Sequence, residues 1–174
     1  GVEIFGSRLG SSPFILLRDA LQAPIFSDPN YLSMIRPRGL NPLLQNYWMV
    51  IHPPTLFLGF ASMIVPFAYA AAGLWTRRYK EWLTPGLPYA LFAVMVLGTG
   101  IIMGSFWAYE ALNFGGFWAW DPVENVSIIP WFTLMAAVHV ILAYKHSGHG
   151  YFSATLLSLI SFVLVIYASY LTRS

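Results

Sequence analysis

Four histidines and one loop crowded with aromatic rings hold most of the ligand-binding potential of this 174-residue chain. Cysteine is absent, which excludes disulfides, thiol nucleophiles, Cys-ligated zinc, iron–sulfur clusters and covalent haem on a C-x-x-C-H motif. His52 stands in Ile51-His52-Pro53-Pro54. Proline is welcome in a first helical turn and biases the residue before it away from the helix, so His52 is expected at a helix N-terminus. The dipole there favours the neutral imidazole, the form that ligates a metal; the competing reading is an interfacial hydrogen-bonding residue. His139 falls inside an apolar run, and ionisable residues within membrane spans mark functional sites. Its plainer alternative is a neutral ring bonded to a neighbouring helix hydroxyl such as Thr155 or Ser158. His146 and His149 flank Gly148 in a basic turn without a metal-binding frame and read as solvated.

The aromatic loop is Asn113-Phe114-Gly115-Gly116-Phe117-Trp118-Ala119-Trp120-Asp121-Pro122-Val123-Glu124-Asn125. Phe114, Phe117, Trp118 and Trp120 offer ring faces, while Gly115 and Gly116 remove side chains that would hinder close approach. Such a surface suits a large flat apolar ligand; composition does not separate a porphyrin from a quinone or a lipid. Two plainer roles compete. Tryptophan collects at membrane interfaces, and Asp121-Pro122-Val123-Glu124 has the order of a helix start, with Asp at N-cap, Pro at N1 and Glu at N3. Glu110 is read as a further interfacial hydrogen-bonding residue.

The elements that position these residues follow from hydropathy. The chain is 57% apolar and 9% charged, with a mean hydropathy of +0.63, against about 25% charged in a soluble domain. A net charge of +2, from nine Lys and Arg against seven Asp and Glu, is too sparse for a nucleic-acid surface. Four apolar runs, about 49–74, 87–107, 126–144 and 151–171, approach or exceed the roughly 20 residues that span a bilayer as a helix. The fold class is therefore all-α, a polytopic membrane bundle. Pro66 is expected to kink the first span. The basic connection 75–82, with its flanking Trp75 and Trp82, suits the cytoplasmic side, and 145–150 falls on the same side. The connection 108–125 has no Lys or Arg and belongs on the extracytoplasmic face. Arg8, Arg18, Arg36 and Arg38 run against that charge rule in a long leading segment. Residues 1–47, broken by Pro13, Pro24, Pro29, Pro37 and Pro42, read as an extracytoplasmic irregular segment with one interfacial helix between Pro13 and Phe26. The membrane domain is 48–174. A start at Gly1 and an end at Ser174 directly behind an apolar run read as cuts in a longer protein, or as one piece of a split one.

Together these motifs carry a resemblance. Residues 115–125 resemble the tryptophan-rich "WWD" signature of the haem-handling proteins of cytochrome c maturation, nearest to their haem lyases. Asn41-Pro42-Leu43-Leu44-Gln45, His52-Pro53-Pro54, Trp107-Ala108-Tyr109 and Leu171-Thr172-Arg173-Ser174 are similar to that family in the same order. The resemblance implies that Phe114, Gly115, Gly116, Phe117, Trp118, Trp120, Asp121 and Glu124 hold a non-covalent, b-type haem on the extracytoplasmic face. It implies that His52 supplies one axial ligand, and that His139 ligates a second haem within the membrane that passes electrons. The implied activity is that of a haem lyase component joining haem vinyl groups to the thiols of apocytochrome c. Its implied partners are a haem chaperone, apocytochrome c, the remaining lyase portion and the bilayer, in a bacterial or mitochondrial inner membrane. Two positions where the family has Trp are Phe114 and Phe117 here, which keeps stacking but removes an indole donor at each. The second axial ligands are expected outside this chain. A quinone- or lipid-binding subunit of a respiratory complex and a transporter subunit are the alternatives.

Overall fold

The computed structural model describes residues 2–4, 7–9, 24–31, 39–113 and 115–172. The chain divides into two compact units, Gly1–Asn41 and Pro42–Arg173. In the first, β1 (Val2–Ile4) and β2 (Ser7–Leu9) form an antiparallel hairpin, with Val2 opposite Leu9 and Ile4 opposite Ser7. A 3-10 turn at Pro24–Ser27 follows, and Asp28 Oδ1 accepts the Asn30 amide at 2.8 Å. The hairpin corrects the expectation of irregular chain: strands of three residues are too short to leave a period-two pattern. Most of the expected interfacial helix lies outside the described residues.

The second unit is built of helices. After a 3-10 turn at Pro42–Leu44 come α1 (Tyr47–Ser62), α2 (Ile64–Trp75), α3 (Leu83–Ala111), α4 (Pro122–Ser147) and α5 (Tyr151–Leu171). α1 and α2 form one 29-residue span, so four stretches are long and apolar enough to cross a membrane. No more than a third of each span's most apolar stretch is buried (22–33%). Phe57, Met95, Ile102, Phe132 and Ile166 face outward, a distribution that suits a lipid solvent. The kink expected from Pro66 is a one-residue interruption at Met63, which keeps helical angles (φ −67°, ψ −16°). Pro66 has no N–H to return to the Ser62 carbonyl, and next to that carbonyl the Met63 amide makes a tighter i−3 bond, to Phe60 O at 3.2 Å.

Without a hydrophobic drive between helices in lipid, close van der Waals packing and buried hydrogen bonds must hold them. α1 pairs chiefly with α3, and α4 with α5. On α5 the buried positions Ala154, Ser158, Ser161, Val165 and Ala168 recur at alternating steps of four and three. That row of small side chains lets α4 approach through Leu134, Ala137 and Ile141. At the other end of the bundle Trp82 is buried (4% exposed). A Cβ on Gly73 would lie 2.6 Å from its ring, one on Gly86 3.0 Å, and its Nε1 donates to Thr155 Oγ1 at 3.2 Å. Trp82 thus links α2, α3 and α5 from inside. This corrects its reading as an interfacial ring; Trp75, 91% exposed, is the one that faces outward.

Candidate functional site

The placement of His52 begins at the α1 cap. Asn46 has extended backbone and accepts the Trp48 amide at 2.8 Å through Oδ1. Glu110, on the last turn of α3, accepts from Asn46 Nδ2 at 3.0 Å and from Trp48 Nε1 at 3.1 Å. The helix therefore starts at Tyr47, and His52 lies in its second turn with Pro53 and Pro54 inside the helix. This corrects the expectation of a helix N-terminus, since the dipole acts mainly within the first turn. A different contact sets the imidazole. His52 Nδ1 donates to Gly100 O at 2.7 Å; a carbonyl can only accept, so the neutral ring keeps its lone pair on Nε2.

Three facing pairs on α1 and α3 make that contact possible. A Cβ on Gly59 would fall 2.5 Å from Leu97 Cα, one on Gly100 2.8 Å from Leu56 Cα, and one on Gly104 2.6 Å from His52 Cε1. The helices cross at backbone contact, and the Cε1 side of the His52 ring lies against Gly104.

The loop between α3 and α4 is shaped by its cap. Asp121 Oδ1 accepts the Glu124 amide at 2.7 Å, Glu124 Oε2 accepts the Ala119 amide at 2.7 Å, and Asn125 Nδ2 donates to Trp120 O at 3.1 Å. The N-cap reading of Asp121-Pro122-Val123-Glu124 is borne out. Gly115 takes φ +68° and Trp120 takes φ +58°, the latter a strained value for a residue with a Cβ. Within this loop Trp118 turns inward, with its Nε1 buried and without a hydrogen-bond partner. Its ring meets Trp120 edge-on at 5.8 Å.

His52, Gly104, Trp107, Trp118, Asp121 and Glu124 line one cleft of about 120 Å³. Of the residues singled out in the sequence, His52, Trp118, Asp121 and Glu124 come together there. Phe117 does not line it; its ring stacks on Tyr109 at 4.4 Å and meets Phe106 edge-on at 5.5 Å. Phe106 stacks on Trp48 at 5.1 Å, so these rings tie the loop to the start of α1. Trp120 is exposed, Gly115 and Gly116 are off the cleft wall, and Phe114 is outside the described residues. His139 is exposed on α4 and donates from Nδ1 to Met135 O at 2.8 Å. It is bonded to neither Thr155, which receives Trp82, nor Ser158, whose buried Oγ has no partner. His146 and His149 are exposed. Sequence reasoning passed over Gly104, whose place four residues beyond Gly100 signals a close-packed helix face, and Trp48, which lies next to the Asn cap.

The family described as cytochrome C assembly protein matches residues 25–174. The chain belongs to the cytochrome C assembly protein family. It is 40% identical over 136 residues to the cytochrome c-type biogenesis protein CcmF of Pseudomonas aeruginosa, covering 78% of this chain and 21% of that protein. CycK of Bradyrhizobium diazoefficiens is 39% identical over 141 residues (80% of this chain, 21% of that protein). CcmF of Escherichia coli is 37% identical over 147 residues (84% and 22%). The chain spans about a fifth of the length of the curated relatives it matches. No solved structure matches it. The cleft and the aromatic loop both lie within the matched residues, so this member of the cytochrome C assembly family carries the cleft lined by His52 and Trp118 inside the family's shared region.

Proposed function

We propose that this chain supplies one wall of an extracytoplasmic haem site in a cytochrome c haem lyase, with His52 Nε2 as an axial ligand. One observation carries the reading: a free imidazole nitrogen and a buried, unpartnered indole N–H, that of Trp118, line the same cleft. Buried donors are nearly always paired, so Trp118 Nε1 suits a ligand acceptor such as a haem propionate. Its ring and Trp107 would lie against the porphyrin face, and Gly104 leaves His52 room beside α3. The cleft volume also bears on the fit. At about 120 Å³ it is smaller than the roughly 300–1,000 Å³ of an enclosing ligand pocket, which suits one side of a haem whose other side is covered from outside this chain.

In this reading the haem supplies the vinyl groups that accept apocytochrome thiols. The residues of this chain would position it: His52 would ligate, the Gly100 carbonyl fixes the His52 tautomer, and Asp121 and Glu124 hold the loop that aims Trp118. Phe117, Trp120, Gly115 and Gly116 shape the outer surface of that loop, where a haem chaperone and apocytochrome c would approach from the periplasm or intermembrane space. His139 would ligate a second, separate haem from the outer face of α4. In the intact assembly, purified with its other portions, His52→Ala should remove a bis-His haem signal from the reduced-minus-oxidised spectrum and abolish c-type cytochrome maturation. A preparation with unchanged spectrum and maturation would overturn the reading and favour a quinone- or lipid-binding subunit.

A further inference from the structure

At the end of the bundle away from the aromatic loop, the turn joining α2 to α3 carries more positive charge than it uses internally. Arg77, Arg78 and Lys80 stand within four residues. Glu81 takes Arg78 alone, Nη1 to Oε2 at 3.4 Å; Arg77 and Lys80 have no carboxylate partner among the described residues. Lys80 Nζ lies 5.2 Å from the centre of the Tyr151 ring, a contact that leaves its remaining donors available. Arg77 adopts φ +58°, a backbone state that the Cβ of an L-residue disfavours. The turn therefore folds back so that Arg77, Arg78, Tyr79, Lys80, Glu81 and Tyr151 line an open chamber of about 230 Å³ rimmed by charged side chains.

Tyr79 and Tyr151 also belong to a second chamber of about 270 Å³, completed by Leu74, Phe152 and Thr155. Its lining is mostly apolar and opens to the outside through the exposed Leu74 and Phe152. A cationic chamber at the ends of the spans thus shares a wall of two tyrosines with an apolar chamber alongside them. We propose that the paired chambers bind one anionic phospholipid. Arg77 and Lys80, with Arg78 beside them, hold the phosphate, and the first part of an acyl chain lies along Leu74 and Phe152. Guanidinium forks match phosphate oxygens bidentately, and basic pockets between spans select anionic headgroups. A free phosphate would leave the apolar chamber without a role. General attraction to an acidic bilayer would draw equally on Lys145, which lies at the same end of the bundle, in the last turn of α4, and lines neither chamber.

The test places the intact assembly in nanodiscs of phosphatidylcholine with phosphatidylglycerol titrated in, and counts retained lipid by native mass spectrometry. Arg77→Gln and Lys80→Gln should each weaken phosphatidylglycerol retention about fivefold and leave phosphatidylcholine unchanged. Arg77→Gly removes the charge while relieving the strained backbone, so a loss there cannot come from misfolding. Lys145→Gln should have no effect, and millimolar inorganic phosphate should not displace the lipid. Unchanged retention in the Arg77 and Lys80 variants, an equal loss in Lys145→Gln, or displacement by inorganic phosphate would each overturn the proposal.

Discussion

Gly104 has room for a hydrogen and little else. Alanine is the better helix former by about 1 kcal/mol, so at an open position Gly104→Ala would stabilise α3. Here the new methyl would stand 2.6 Å from His52 Cε1, and either the ring leaves Gly100 O or α1 and α3 separate. In the intact assembly, Gly104→Ala should reduce His52-dependent haem content nearly as far as His52→Ala, with unchanged helical circular dichroism. Normal haem content with an unchanged reduction potential would show that the imidazole is not held where the Gly100 contact puts it. Trp118 permits a finer test. Trp118→Phe keeps a ring in the cleft and removes only the N–H, so haem should still bind. Loss of one hydrogen bond to a charged acceptor costs about 1.5–3 kcal/mol, which is more than a tenfold weakening in a haem titration. Trp120→Phe, on an exposed ring outside the cleft, should leave haem affinity unchanged.

Trp82 carries the argument at the level of helices, because three of them meet on its indole. Trp82→Ala should cost about 3–5 kcal/mol, the range for emptying a buried aromatic site. Trp82→Phe should cost nearer 1 kcal/mol, since Thr155 keeps its bond to Tyr151 O at 2.8 Å. Reversible unfolding in bicelles, followed by tryptophan fluorescence, measures both; equal losses would mean that the Thr155 bond and not the packing matters. The four spans were legible from hydropathy because a lipid-crossing helix needs a long apolar run and nothing subtler. Their ends were less so. α3 begins at Leu83 and α4 at Pro122, each about a turn before the apolar run suggests, because a helix continues into the interface where polar residues are tolerated. The Asp121 cap was also legible, since its donors and acceptors are neighbours in sequence. The burial of Trp82 was not, because it depends on Gly73, Gly86 and Thr155 from three separate helices. Nor was the inward turn of Trp118 against the outward turns of Phe117 and Trp120: the loop's composition treats its rings alike, and what separates them lies on other elements, Tyr109 and Phe106 against Phe117 and the cleft of His52 and Gly104 around Trp118.

For the molecule as a whole, the distribution of the two candidate iron ligands is the informative feature. His52 faces into a cleft between α1, α3 and the aromatic loop, while His139 is exposed on α4 and does not line that cleft. Each imidazole spends Nδ1 on a backbone carbonyl, Gly100 O for one and Met135 O for the other, which leaves an Nε2 lone pair in both. A single haem using both rings would require them to face each other across one cleft, and His139 does not line the cleft that His52 faces. Sites that share no partner behave additively. In the intact assembly, His52→Ala and His139→Ala should therefore remove different haems, and the double variant should lose the sum of the two single losses by pyridine haemochrome assay. Their reduction potentials should also separate, because the His52 cleft opens beside a loop carrying Asp121 and Glu124, whereas His139 is exposed on a helix whose other outward side chains include the apolar Phe132 and Leu142. If either single substitution removed all the haem that the double variant removes, the two rings would serve one cofactor, and the outward face of α4 would have to be explained in some other way.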